Sequence, residues 1–147
     1  MEAWEKLQPI IDRINPIEIN DGMAALTAKE QDVLLVWCYD GAVNNGGHVS
    51  FFYNSSGRDA GQTVEALNRI GAQPHAAMLD KAIDLFPDRI VPRDIDERND
   101  ALSQMPEAHN GILSALDDEF FGVDYNLLMD KLLAYWESGI EGSIPIQ

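Results

Sequence analysis

The chain has a single cysteine, Cys38, among 147 residues. A disulfide within the chain is excluded, and because Cys38 lies in the most apolar run it is expected to be a buried, reduced thiol. Long hydrophobic runs are also missing. None approaches the roughly 18 apolar residues of a membrane span, and Met1 to Lys6 lacks the basic start and apolar core of an export signal, so a cytoplasmic location away from membranes is expected. No segment alternates apolar and polar residues between hairpin turns, which argues against strands. The three histidines, His48, His75 and His109, are far apart and share no metal-binding spacing. Asp117, Asp118 and Glu119 are adjacent and splay around a helix rather than forming a calcium loop. Gly46-Gly47 lacks the Lys-Ser/Thr pair of a phosphate loop and the strand before it. No metal and no cofactor is expected.

Basic residues are scarce as well. Ten Lys and Arg face 25 Asp and Glu, a net charge of −15. Residues 1–93 hold 13 acidic against 8 basic side chains, whereas residues 94–147 hold 12 against 2, so two thirds of the excess lies in the last third of the chain. Such a field repels nucleic acid and acidic membranes and attracts basic partners. A hydrophobic content of 46% excludes a disordered acidic tail, so the charge sits on a folded body.

What is present is helical periodicity. Trp4, Leu7, Ile10, Ile11 and Ile14 mark a first helix, weakened by Pro9 and stopped by Asn15-Pro16, with a connector from Ile17 to Leu26 that turns at Asp21-Gly22. Thr27-Ala28-Lys29-Glu30 spells a capping box, which starts a central helix near Ala28. Val33 to Tyr39 is apolar on every side, as befits a helix with little solvent contact. Asn44, Asn45, Gly46 and Gly47 are expected to stop it, Phe51, Phe52 and Tyr53 to return to the core against Trp37, and Asn54 to Gly57 to turn the chain again. Further helices are read at Asp59–Ile70, from Pro74 to Pro87, at 94–104, from Pro106 to Phe120 and, capped by Asp124, at Tyr125–Ser138 with Gly139 as its stop. The helix at 94–104 has so little to bury that it must be held by tertiary contact. The expected fold is all-α: a single-domain bundle of about six to seven helices around a central buried helix, spanning 1–147 with loose ends at 1–3 and 140–147.

Trp37, the Asn44 to Gly47 run, Phe51 to Gly57 and the later Ala66-Leu67…Ile70-Gly71-Ala72 together resemble a family of small acidic bacterial helical proteins. A neisserial DNA-mimic protein typifies that family, and most members are described only as a domain of unknown function. The resemblance runs from about Trp4 to Trp136. One position departs from it: residue 48 is His where an aromatic such as Phe would follow the glycines. The resemblance implies the helical fold and a non-enzymatic protein that occupies the DNA-binding surface of a basic regulator of the helix-turn-helix type.

Asp117, Asp118, Glu119, Asp124, Asp130, Glu137 and Glu141 form the densest acidic region, and carboxylates on rigid helices can imitate a run of phosphates. The first six are the candidate partner-binding face. The alternative is an immunity or inhibitor protein that neutralises a basic toxin or nuclease with the same electrostatics. A third reading, a small hydrolase, would pair Ser50 with a His48 base, though nothing in the sequence supplies a carboxylate or an oxyanion hole for it. Whether the chain forms a homodimer is left open.

Overall fold

The computed structural model describes residues 1–138; Gly139, Glu141 and the tail to Gln147 lie outside the described residues. Seven α-helices follow one another with three short 3-10 turns between them, and the described residues contain no strand. The helices are α1 (Ala3–Asp21), α2 (Ala28–Tyr53), α3 (Ala60–Arg69), α4 (Gln73–Ile83), α5 (Ile95–Ser103), α6 (Glu107–Gly122) and α7 (Tyr125–Glu137). The fold is all-α, built around α2, which packs against α1, α3, α5, α6 and α7. Its apolar run explains that place: Val33, Leu34, Leu35 and Val36 are buried in succession, which leaves α2 no solvent face along this stretch. The expected box starts it, with the Glu30 amide donating to Thr27 Oγ1 and the Thr27 amide donating to Glu30 Oε1.

One expected helix end is different in the structure, and another is followed by more helix than expected. Asn15-Pro16 does not stop α1, which continues to Asp21 and ends on Gly22 at φ 90°. Ile11 and Ile14 are buried on one face, Ile17 continues it, and Glu18 bonds Arg58 at 2.6 Å, so side-chain anchoring outweighs the one backbone donor that Pro16 lacks. The Asn-Gly run does stop the helical geometry of α2, as expected, but only for two residues. The helix breaks at Gly46-Gly47, where Gly47 takes φ 81°, and resumes from His48 to Tyr53. The break lets Phe51 and Phe52 enter the core in helical form.

The aromatic partners also differ from expectation. Phe51 packs edge-on against Tyr39 and Phe52, and Phe52 meets Phe86 at 4.9 Å between ring centroids. Trp37 is instead half-buried and lines an open surface cleft with Asn45 and Asn54. Cys38 is half-buried beside it, and burial pushes its thiol up to about 11, which keeps it protonated at neutral pH.

Candidate functional site

The break in α2 exposes a helix start inside the protein, and the amide of His48 needs an acceptor there. Asp117 of α6 supplies it. Its Oδ1 accepts the His48 amide at 2.8 Å and lies 2.7 Å from His48 Nδ1, while the Tyr39 hydroxyl lies 2.8 Å from His48 Nε2. Burial lowers the His48 pKa and outweighs the opposing pull of Asp117, so the ring is neutral at pH 7. Since a carboxylate only accepts, Nδ1 carries the proton, and the un-ionised Tyr39 hydroxyl donates to Nε2. Burial raises the Tyr39 pKa, with the Asp117 charge acting in the same direction. Gly47 completes the arrangement: its φ favours glycine, and a Cβ there would collide with the Asp117 carboxylate.

The six acidic residues singled out in the sequence are therefore not equivalent. Asp117 turns inward, its side chain only 26% exposed. Asp118 and Glu119 are exposed on α6. Asp124 caps α7, one oxygen accepting the Asn126 amide at 2.9 Å. Asp130 and Glu137 are exposed on α7 and, seven residues apart, lie on one stripe of it. Four further exposed carboxylates, Asp94, Asp96, Glu97 and Asp100, crowd on and before α5.

The cations are distributed in the opposite sense. Arg13 bonds Glu30, Arg58 bonds Glu18 and Asp59, Arg69 bonds Asp32, Arg89 bonds Asp80 and Asp84, and Arg93 bonds Asp59. Lys29 is buried with its ammonium 5.8 and 5.5 Å from the rings of Tyr135 and Trp136. Among the described residues, every carboxylate paired with an arginine precedes Asp94. The only cations beyond it are Arg98 and Lys131.

Arg98 is fully buried and meets no carboxylate. Its guanidinium donates to the carbonyls of Phe52 at 2.6 Å and Asn54 at 2.7 Å, and to those of Pro92 and Arg93 at 2.9 and 3.1 Å. A cation at the end of α2 complements the helix dipole and satisfies carbonyls with no partner inside the helix. Gly57 makes room for it, since a Cβ there would come within 2.8 Å of Phe52 Cα and 2.9 Å of Arg98 Nε. The glycines and aromatics of the Asn44–Gly57 stretch thus hold α2 in its broken shape. Residues 24–141 match the family model of the DMP19-like proteins. The chain belongs to the DMP19-like protein family. No curated protein and no solved structure matches it.

In this DMP19-like chain the departure at residue 48 has a structural reason, because a histidine bonds both Tyr39 and Asp117 where Phe could bond neither. The same bonds leave His48 no free nitrogen to serve Ser50 as a base, and the ring is fully buried. The described residues hold no group of three or more His, Cys, Asp or Glu side chains able to bind a metal, and no helix long and apolar enough to cross a membrane. Sequence reasoning passed over Arg98 and saw no polar role for Tyr39 or His75. Arg98 carried a signal, as the lone cation of an acidic helix placed four residues before the buried Leu102.

Proposed function

We propose that this is a non-enzymatic acidic binding protein that occupies the DNA-contacting surface of a basic DNA-binding protein, such as a helix-turn-helix regulator, in place of DNA. The observation that carries the reading is the segregation of charge: arginines neutralise carboxylates before Asp94, while the exposed carboxylates of α5, α6 and α7 face no paired cation. The family name, which stands for a DNA mimic protein, points the same way. Helix geometry supplies fitting spacings. Asp96 and Asp100 are about 6 Å apart along α5, and Asp130 and Glu137 about 10.5 Å apart along α7, so carboxylates recur along rigid helices at spacings of several ångströms, as phosphates do along a duplex edge. Asp117 is not part of this surface, and Asp124 contributes only the oxygen that its cap leaves free.

Competition tests the reading. A regulator captured from native lysate at low salt, identified and bound to its operator DNA, is expected to release the DNA when the protein is added. The variant Asp118→Asn, Glu119→Gln, Asp130→Asn, Glu137→Gln, which spares Asp117 and Asp124 with their bonds to backbone amides, is expected to fail. Salt should weaken the complex steeply by screening exposed charges beyond a Debye length of about 10 Å at 0.1 M. Equal displacement by the wild type and the neutralised variant would reduce the acidic surface to solvation.

A further inference from the structure

Where α2, α4 and the α6–α7 turn meet, Asp40, Asn44, His75, Phe121, Asp124 and Tyr125 line a small cavity of about 30 Å³. Its floor is unusual. His75 is 3% exposed, and its Nδ1 is buried without a hydrogen-bond partner. Such an orphan costs about 1–3 kcal/mol unless something bonds it. Asp40 beside it is half-buried and pairs with no cation. The rim is aromatic and open: Phe121 and Tyr125 are 55% and 72% exposed.

We propose that this cavity seats the ammonium of a lysine side chain from the protein's basic partner. The proposal rests on the DNA-mimic reading and names the point where such a partner is anchored. An ammonium has three donors and no acceptor. Three side chains of its lining, Asp40, Asp124 and His75, carry acceptors, and the Nδ1 of His75 has no partner. Burial lowers the His75 pKa, helped by Lys131 and His48, so its ring is neutral at pH 7 and Nδ1 can accept a proton from a cation. Burial likewise holds the Asp40 carboxyl up at about 6, the mark of a carboxylate short of positive charge. Phe121 and Tyr125 would flank the aliphatic stem and add cation–π attraction. The cavity is narrow, so a compact ammonium enters it with less displacement of its lining than a planar guanidinium would need.

The test needs no partner protein. Nα-acetyl-lysinamide is titrated into the full chain at low salt and pH 7, with the His75, Phe121 and Tyr125 ring signals followed by NMR. Saturable shifts of all three are expected, with none from uncharged Nα-acetyl-norleucinamide. Asp40→Asn should weaken binding about tenfold or more, as losing one partner of a desolvated charge pair does. Asp12→Asn, which removes an exposed charge from α1, should not. Equal affinity in both variants would mean diffuse attraction and overturn the proposal. So would equally tight binding of Nα-acetyl-argininamide, or binding that appears only in Lys131→Gln, which would make the chain's own lysine the occupant. Because no DNA-binding protein is present, failed displacement of operator DNA would leave a positive result standing. Successful displacement beside a silent cavity would sink the cavity alone.

Discussion

Asp117→Ala separates the structural from the solvated carboxylates. The substitution removes the acceptor of two short hydrogen bonds, at 2.8 Å from the His48 amide and 2.7 Å from its Nδ1. His48 is fully buried, so both donors lose their partner where water has little access. Bonds to a charged acceptor contribute about 1.5–3 kcal/mol each, and water entering at the partly exposed Asp117 returns part of that, which leaves a loss of about 3 kcal/mol. Relief of charge repulsion in a protein of net −15 acts in the opposite direction but amounts to a few tenths of a kcal/mol at an exposed site, so the loss wins. Asp118→Ala, with no such bonds, should stay within about 0.5 kcal/mol of wild type. Urea unfolding at pH 7 with unchanged m-values measures both. In a His48→Phe background the Asp117→Ala loss should shrink by about 1.5 kcal/mol, the worth of the ring bond, and a double-mutant cycle reads that coupling. Asp117→Ala behaving like Asp118→Ala, or a cycle with no coupling, would refute the assignment of Asp117 as the cap of the broken helix.

Two further outcomes follow from the interior. Asp40 holds its proton to about pH 6 in the folded protein against 3.8 as its ordinary value, so stability falls as pH rises through that window. Asp40→Asn is expected to stabilise the protein by up to about 3 kcal/mol at pH 7, a gain that fades toward pH 4. His48 and His75, both lowered, act oppositely below 6.5, where the unfolded chain gains protons first, so the quantity to measure is the difference between variant and wild type. A difference independent of pH would refute the role of burial. Phe52→Ala should cost about 3–5 kcal/mol in the same unfolding assay, because Phe52 is fully buried between Phe51 and Phe86, and thermal stability equal to wild type would contradict that packing.

The helices were legible wherever hydrophobic period and cap agreed. Thr27 and Glu30 marked the start of α2 and Asp124 that of α7, and both cap as their side-chain chemistry requires. What was not legible came from contacts distant in sequence. Nothing near Gly46-Gly47 shows that the stopped helix restarts at His48, because the acceptor of the new helix start is Asp117, 69 residues away. Asp117 itself reads as surface charge within an Asp-Asp-Glu run, and only the approach of α6 to the break turns it inward. Pro16 likewise resembles a terminator until Glu18 and the buried Ile14 are seen to hold the helix on either side of it. The candidate site was legible as a composition, in the excess of acid after residue 94, but not as a set of equivalent residues.

The two roles of charge in the last third of the chain depend on each other. Helix α5 buries only Arg98 and Leu102, too little to hold nine residues in place while Asp94, Asp96, Glu97 and Asp100 repel one another. Arg98 anchors it by four bonds to backbone carbonyls, and since those acceptors are uncharged, the guanidinium consumes no carboxylate. A salt-bridged anchor would have held the helix equally well at the loss of one surface charge. Asp117 makes the converse choice, bonding a neutral histidine rather than one of the scarce cations. Both inward-facing charges therefore fasten the acidic helices to the broken α2 without pairing off any exposed carboxylate, which is how a chain with two cations after residue 93 keeps its acidic surface both rigid and unpaired.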